Sequence, residues 1–250
     1  MVKEIFNHRS IRKFKSESIA PEVMEKMLEA ASRASTCGNM QCYSLIVSSS
    51  KEMVAALSPL HFGQVERMNG QCVVTVCADM NRFGEWCKQR DAEPQYDNFM
   101  WFMNGAIDGI MAAQNLILEA ESHGVGICVL GTTLYTADAM CELLELPEGV
   151  IPVTAIVMGY PDENPPLTDR LPISGVVHQE KYNNYTPEMI DQIWSERENS
   201  AETLALLNEN ELPNLAQIFT KNRYKGSDNV TFSKKYLELL KKQGFMNHAD

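Results

Sequence analysis

The octet Asn7-His8-Arg9-Ser10-Ile11-Arg12-Lys13-Phe14 concentrates an imidazole, a hydroxyl and two guanidinium groups near the start of the chain. It lies in a protein whose formal net charge is -11. Donor groups gathered against an acidic background are typical of an anion site, because the planar fork of arginine suits phosphate and carbonyl oxygens. A solvated basic turn at a helix end gives the same pattern. The octet alone does not distinguish an anion site from a solvated turn, so the rest of the chain is needed to choose between the two interpretations.

Length and composition predict a globular protein. The chain has 250 residues, 44% of them hydrophobic, which allows a sizeable core in one large domain or two small ones. It contains no apolar run of the roughly eighteen residues that a membrane helix needs. The opening residues Met1-Val2-Lys3-Glu4 lack the apolar stretch of a signal peptide. We therefore expect a soluble, cytoplasmic protein.

Cysteine usage and charge balance narrow the class of protein. The seven cysteines all lie at or before Cys141, and none of them forms a C-x-x-C pair. This distribution fits reduced, mostly buried thiols better than a disulfide framework or a zinc site. With 33 acidic and 22 basic residues, the chain lacks the basic excess that nucleic acid or an anionic membrane attracts. We expect no metal, no nucleic acid and no membrane partner, and an anionic ligand held in a local pocket.

The first third of the chain predicts one helix and two strands. Apolar residues recur with helical spacing over Pro21–Ala34, and strand-like runs cover Tyr43–Ser48 and Cys72–Ala78. Small and polar residues fill Ser35–Gln41, between the helix and the first strand. Such a segment is either a plain connection or the lining of a ligand site.

A long helix is predicted over Phe99–His123, with Gly124 as its stop. Small and aromatic residues surround its first half, so we expect the helix to be buried on nearly all sides or shared with a second subunit. A stripe of methionines and aromatic residues is more often core than cofactor site.

A second pair of strands follows. Gly126–Thr132 is predicted to be a short strand that enters a glycine turn, and Pro152–Met158 to be another buried strand, with a helix near Thr136–Leu146 between them. Gly131 permits a ligand to approach the backbone closely, although single glycines after strands are common.

The composition of the chain changes after residue 160. Four prolines between Pro161 and Pro172 predict an extended arm that runs over a surface and carries Arg170. Thr186–Asn210 is acidic and helix-prone, Lys221–Ser227 is a basic loop, and Ser233–Gln243 is predicted to be a closing helix capped by Ser233. We predict a core over residues 1–185 and a helical C-terminal extension of the same domain over 186–250.

Several segments together resemble one family. They are His8–Arg12, Ser35–Gln41, Gln64, Gly126–Thr132, Gly159–Pro161 and Arg170–Pro172. In this order and spacing they resemble the FMN-dependent nitroreductases, and residues 233–246 resemble the closing helix of the oxygen-insensitive NADPH nitroreductase and flavin reductase branch. The resemblance implies an α+β nitroreductase fold, with a central antiparallel-to-mixed sheet flanked by helices, in an intertwined homodimer with two FMN sites at its interface.

The resemblance also implies which residues bind FMN. His8, Arg9 and Ser10 correspond to contacts with the phosphate and the ribityl chain, joined by Arg170, and Arg12 corresponds to a contact with the N1 and O2 edge of the ring. The remaining cofactor contacts are expected at Ser35, Thr36, Asn39, Gln41, Gln64, Val129, Leu130, Gly131 and Thr132. No residue is expected to act as a nucleophile, because the flavin carries the redox chemistry.

The family resemblance implies a ping-pong NAD(P)H oxidoreductase that reduces nitroaromatics, quinones or similar small-molecule acceptors. The alternatives are a flavin reductase that releases free reduced flavin and a flavin-binding protein without turnover. A local cationic patch is needed to attract the 2′-phosphate of NADPH. Lys221, Arg223 and Lys225 form the densest such cluster outside the octet, so we predict that they bind NADPH in preference to NADH.

Overall fold

The computed structural model describes residues 2–248, whose contacts form two compact units. Within the described residues, the first unit comprises 2–166 and 232–248, and the second comprises 167–231. These limits differ from the predicted boundary after residue 185. The functional division into a cofactor-binding core over 1–185 and an extension over 186–250 stays a prediction.

The first unit contains a four-stranded antiparallel sheet. Its strands are β1 (Tyr43–Ser48), β2 (Cys72–Asp79), β3 (Gly126–Leu130) and β4 (Val150–Gly159), in the order β1-β2-β4-β3. All four match predicted strands to within a few residues. The predicted α+β class with a central antiparallel sheet is therefore confirmed.

Helices surround this sheet. They are α1 (Lys3–Asn7), α2 (Pro21–Ser32), α3 (Lys51–Leu60), α4 (Gln64–Arg67), α5 (Asn81–Lys88), α6 (Phe99–Ser122) and α7 (Ala137–Leu143). The predictions of α2 and α6 are confirmed, whereas α7 is shorter than predicted. Helices α3 to α5 are absent from the prediction because they are short, and Pro59 in α3 and Gly84 in α5 weaken the helical signal.

Alternate residues of the fully buried strand β2 face two cores. On one side, Val74 and Val76 share a cluster with Met27 of α2 and Leu116 of α6. On the other side, Val73 shares a cluster with buried residues of α3, α4 and α7, including Leu57, Val65 and Met140. The sheet is thus the middle layer of the first unit, which accounts for the continuous apolar run of β2.

The N-terminal octet lies along the edge strand β3. The Ile11 backbone N–H donates to the Ile127 carbonyl over 2.8 Å, and the Phe14 N–H donates to the Met68 carbonyl over 2.9 Å. A Cβ atom at Gly126 would lie 2.7 Å from Ile11 Cγ1, so this close approach requires glycine. Burial of Ile11 and Phe14 fixes the octet, so it is not a solvated turn.

Helix α6 has one buried side and one exposed apolar side. Six large apolar side chains remain exposed along it: Phe99, Met100, Met103, Ile107, Ile110 and Met111. Their spacing places them on one stripe of the helix. The expectation that α6 is buried on nearly all sides is wrong for the single chain. The alternative expectation, a face shared with a second subunit, stays a prediction.

The second unit is mainly helical. It contains α8 (Pro187–Glu198), α9 (Ala201–Asn210), α10 (Leu215–Ile218), a π-helical turn at Phe219–Arg223 and the first residues of α11 (Gly226–Lys242). The helix-prone prediction for Thr186–Asn210 is confirmed.

Two predictions for the end of the chain are wrong. The predicted basic loop Lys221–Ser227 consists largely of the π-helical turn and the start of α11. Ser233 does not cap a helix, because α11 already begins at Gly226, with Asp228 in its favoured place in the first turn. Among residues 2–248, no helix is both long enough and apolar enough to cross a membrane.

The cysteines are free thiols, and all except Cys37 are buried. Burial raises the pKa of Cys42 to about 11 and that of Cys72 to about 12. The prediction that most of the thiols are buried is confirmed, and their reduced state stays a prediction.

Candidate active site

His8 and Arg9 are both engaged by other parts of the first unit. The His8 Nδ1 atom lies 2.6 Å from Glu121 Oε1, near the end of α6. The Arg9 Nη1 group donates to Asn164 Oδ1 over 2.9 Å and to the Pro165 carbonyl over 3.1 Å. Burial raises the pKa of Glu121. These contacts connect the octet to α6 and to the segment after β4.

Arg12 presents an uncommitted positive charge. Its backbone N–H donates to the Glu163 carboxylate, but its exposed guanidinium has no hydrogen-bond partner within residues 2–248. Burial raises the pKa of Cys128 in β3, and the nearby charge of Arg12 opposes that rise. Ser10 is half-buried, and its hydroxyl also lacks a partner in the described chain. Arg12 and Ser10 are therefore available to a ligand beside β3.

Two contacts bring the segment that precedes Gln64 to the turn that follows β3. The His61 Nδ1 atom lies 2.9 Å from Thr132 Oγ1, and the Thr136 hydroxyl donates to the Leu60 carbonyl over 2.7 Å. Gln64 itself is half-buried at the start of α4. The sequence has no pattern that predicts either contact.

The backbone at the end of β3 is accessible. Val129 is 47% exposed, while Leu130 and Thr132 are buried. Gly131 is exposed, and a Cβ atom added there would meet no atom within 4 Å. A ligand can therefore approach the Gly131 backbone closely.

One hydrophobic cluster joins these parts of the site. It includes Ile11 of the octet, Leu57 of α3, Val65 of α4, and Cys128 and Leu130 of β3. Leu57 and Val65 therefore hold both helices, α3 and the start of α4 at Gln64, in this cluster. The structure thus brings the predicted residues of the octet, Gln64 and the end of β3 to one region of the first unit.

The Ser35–Gln41 segment is strained. Gly38, Asn39 and Gln41 have φ angles of 55°, 56° and 49°. Left-handed backbone is costly for glutamine, at about 1–3 kcal/mol, and persists where the surroundings enforce it. The Gln41 side chain donates to Asn39 Oδ1 over 2.7 Å, while Ser35 is exposed and Thr36 half-buried. Strain of this kind concentrates at ligand sites.

Asp108 of α6 fixes this segment. Its carboxylate is buried, and its two oxygens accept hydrogen bonds from the backbone N–H groups of Cys37 (2.9 Å) and Cys42 (3.1 Å). Sequence reasoning missed Asp108, although a single acidic residue within the apolar part of a helix is a signal that can be recognised.

The Ser35–Gln41 segment and the octet do not meet in one chain. The segment leads into β1, the octet lies on β3, and strands β2 and β4 separate these two edges of the sheet. Three strand spacings correspond to about 14 Å. Within the described residues, no hydrogen bond joins the two sets of predicted flavin contacts.

Arg170 belongs to the second unit. It is exposed, and its guanidinium donates to the backbone carbonyls of Thr168 and Asp169. Its predicted role at the FMN phosphate stays a prediction.

The cations predicted to bind NADPH also lie in the second unit, and all three are exposed. The Lys221 ammonium donates to Gln217 Oε1 over 2.6 Å, and the Arg223 guanidinium lies 5.6 Å from the centre of the Phe219 ring. Lys225 follows the π-helical turn that carries the other two. Single-turn π-helices are frequent at functional sites.

The donor set of the first unit fits FMN. A mononucleotide flavin presents a phosphate, ribityl hydroxyls and ring carbonyl groups, all of which accept hydrogen bonds. The uncommitted Arg12 guanidinium and Ser10 hydroxyl, the Gln64 amide and the open Gly131 backbone supply donors and access of the matching kind. These residues would hold the cofactor beside β3.

Comparison with known proteins agrees with this chemistry. The sequence model of the Nitroreductase family matches residues 5–160. The chain belongs to the nitroreductase family, and the resemblance inferred from its motifs is confirmed.

Three relatives illustrate the match. A Bacillus subtilis protein named FMN reductase (NADPH) is 34% identical over 191 residues, which are 75% of this chain and 76% of the relative. A Salmonella typhimurium protein named oxygen-insensitive NADPH nitroreductase is 33% identical over 175 residues, covering 70% and 71%. A crystal structure of a Bacteroides fragilis protein superposes with a TM-score of 0.95 at 41% identity, covering 98% of this chain and 100% of the other.

We predict that Asp108→Asn destabilises the Ser35–Gln41 segment. An amide oxygen can replace only one of the two acceptors, and the amide NH₂ would face a second donor, so we expect a loss of about 1–3 kcal/mol. The measurements are chemical denaturation and amide hydrogen exchange at Cys37 and Cys42. Asn104→Asp, which changes a half-buried residue one turn away on α6 whose side chain makes no hydrogen bond within residues 2–248, serves as the control. Unchanged exchange at both amides in Asp108→Asn would contradict the prediction.

Proposed function

We propose that this protein is an FMN-dependent NAD(P)H oxidoreductase that reduces nitroaromatics, quinones or similar acceptors by a ping-pong mechanism. The observation that carries the proposal is the uncommitted Arg12 guanidinium beside the strand that ends at the open Gly131 backbone. Membership of the nitroreductase family supports it. So do the names of two relatives, an FMN reductase (NADPH) and an NADPH nitroreductase.

The chain contributes charge and position. When bound, FMN would supply the chemistry for hydride transfer between NAD(P)H and the acceptor. Arg12 would stabilise the negative charge that reduction gives to the flavin ring. Because the guanidinium is positioned in advance, this stabilisation costs little reorganisation. Gln64 and the Leu130–Gly131 backbone would hold and orient the ring for hydride transfer.

The other predicted contacts hold the cofactor in place. His8, Arg9, Ser10 and Arg170 bind the phosphate and ribityl chain, and Val129 and Thr132 flank the backbone at the end of β3. Ser35, Thr36, Asn39 and Gln41 approach the ring and ribityl chain from the strained segment, whose shape Asp108 maintains.

A flavin reductase is the second candidate function. The name of the Bacillus subtilis relative favours it. The same residues serve both reactions, since only the identity of the acceptor changes. Steady-state rates with a nitroaromatic, a quinone and free FMN as acceptors distinguish the two functions.

The purified protein is expected to be yellow and to bleach when NADPH is added without oxygen. Acid precipitation followed by chromatography should release one FMN per subunit. FAD or covalently attached flavin would contradict the cofactor assignment. A yellow protein that does not bleach would instead be a flavin-binding protein without turnover.

Arg12→Ala should slow flavin reduction more than it weakens FMN binding, because the proposed contact strengthens as the ring becomes charged. Losing one such contact raises the barrier by about 2–4 kcal/mol. Stopped-flow reduction and the midpoint potential of the flavin measure the effect. Lys13→Ala is the matched control, because Lys13 is exposed and paired with Asp162. Arg170→Ala should chiefly release flavin. An unchanged reduction rate and potential in Arg12→Ala would refute the assignment.

We propose further that the enzyme is a homodimer. Two sets of predicted ring contacts lie at opposite edges of the sheet, so two chains are needed for both sets to meet one flavin. The exposed apolar stripe on α6 offers the surface that such a dimer buries.

Ile107→Asp should convert the dimer to monomer and release FMN. Ile107 is 49% exposed within the apolar stripe, and burying a carboxylate against a second apolar surface is costly. Leu237→Asp, which changes an exposed leucine of α11 outside the stripe, is the control. Light scattering and FMN content provide the readouts. A wild-type protein that is a stable monomer with bound FMN would disprove the shared site.

The proposed site for the nucleotide's 2′-phosphate is a group of three exposed cations. Lys221, Arg223 and Lys225 attract the 2′-phosphate of NADPH, which needs a local cationic patch on a protein with a net charge of -11. The names of both curated relatives include NADPH, which supports this assignment.

Arg223→Ala should lower kcat/KM for NADPH and leave the value for NADH nearly unchanged. The proposed contact is with the 2′-phosphate, so added salt should narrow the preference for NADPH by screening it. Arg90→Ala, an exposed arginine of the first unit, is the control. An equal decrease of kcat/KM for NADPH and NADH in Arg223→Ala would contradict the assignment of this cluster to the nucleotide site. A wild-type preference for NADH would contradict it as well.

We also propose that the protein works in the cytoplasm, where its seven free thiols remain reduced. The proposed cofactor-binding core spans residues 1–185, and the helical extension of the same domain spans 186–250 and contributes the nucleotide contacts.

A further inference from the structure

His61 is a buried polar side chain that the proposed chemistry does not use. It follows the last residue of α3 and is 0% exposed. Burial lowers the pKa of its imidazole to about 4, so the ring is neutral at physiological pH. A neutral imidazole has one N–H donor and one acceptor nitrogen, and its surroundings determine which is which.

The contacts of His61 distinguish the two tautomers. Nδ1 lies 2.9 Å from Thr132 Oγ1, whereas Nε2 is buried and has no partner among the described residues. A proton on Nε2 would leave a buried N–H without an acceptor, which is rare in native proteins. A proton on Nδ1 instead donates to the Thr132 hydroxyl oxygen. The geometry therefore favours the Nδ1–H tautomer.

This hydrogen bond spans two proposed flavin-binding segments. His61 lies three residues before Gln64, and Thr132 follows Gly131 directly. A second contact, from the Thr136 hydroxyl to the Leu60 carbonyl, connects the same segments at 2.7 Å. The His61 contact is the one that reaches the residue next to the open backbone.

The His61 turn is itself strained. Phe62, the next residue, has a φ of 54°, which is unfavourable for a bulky side chain, and Gly63 has a φ of 72°. Backbone hydrogen bonds from His61, Phe62 and Gly63 back into the end of α3 maintain this conformation. A strained turn that places a buried imidazole against Thr132 is consistent with a requirement for position.

We propose that His61 is a positioning residue. As the Nδ1–H tautomer, it sets the distance between Gln64 and the Gly131–Thr132 backbone. This distance determines how well both fit the flavin ring. This inference rests on the proposed function. It adds a residue that does not touch the cofactor and acts on it through Thr132.

The first test uses the wild-type protein. Nitrogen-15 NMR of histidine-labelled protein at neutral pH should show a protonated Nδ1 and an unprotonated Nε2 for His61. This measurement needs no cofactor and no turnover. The opposite tautomer would overturn the proposal even if the flavin chemistry is as described.

The second test compares variants by FMN affinity and flavin midpoint potential. His61→Leu should weaken FMN binding about tenfold, as expected for one buried hydrogen bond, and should shift the potential. The amide of Asn can donate from nearly the same place as Nδ1. His61→Asn should therefore have an FMN affinity and a midpoint potential close to those of the wild-type protein. Thr136→Val removes the hydrogen bond to the Leu60 carbonyl, which joins the same two segments. It is the control for a nonspecific loss of contact between them.

A double-mutant cycle tests whether His61 acts through Thr132. The effects of His61→Leu and Thr132→Val on FMN affinity should not add, because each change removes the same hydrogen bond. Additive effects would contradict the proposal. So would a His61→Leu variant that is less stable but has unchanged affinity and potential. Failure of the wild-type protein to bind FMN would refute the proposed function itself, and with it this inference, whatever the tautomer.

Discussion

The backbone hydrogen bond from Ile11 to Ile127 fixes the arrangement on which the site depends. It places a polar octet along an edge strand, where the sheet has an unused row of donors and acceptors. The buried Ile11 side chain then holds the octet against Gly126, where no larger residue fits. Arg12, the next residue, consequently lies beside β3, and its guanidinium has no partner among residues 2–248. An apolar anchor thus positions a cation for a ligand.

The sequence predicts the strands well because each is a short apolar run with turn residues at its ends. The buried side of α6 and the stop at Gly124 are also predictable from spacing. The helices α3 to α5 are not, since Pro59 and Gly84 interrupt their pattern. The exposed side of α6 also differs from the prediction, because a residue such as Ile107 looks the same in sequence whether its partner is the same chain or another.

The family resemblance predicts the individual site residues, and the fold shows which of them lie together. Nothing in the sequence shows that Gln64 and Gly131 belong to one region, because the contacts that join their segments come from His61 and Thr136. Nor does it show that Ser35–Gln41 lies at the opposite edge of the sheet from Arg12. Sheet order depends on long-range pairing, which a local pattern does not encode. Asp108 is the exception, since a carboxylate among apolar neighbours requires a structural explanation.

Burial of the thiols has a consequence for the proposed reduction of quinones. Quinones are electrophiles that alkylate cysteine, and the reactive species is the thiolate. Six of the seven cysteines are enclosed, and at Cys42 and Cys72 burial holds the pKa far above neutrality. These side chains act as inert packing, and their burial protects them from alkylation by the proposed quinone acceptors. Cys37, exposed in the strained segment, is the one thiol at which such damage can begin.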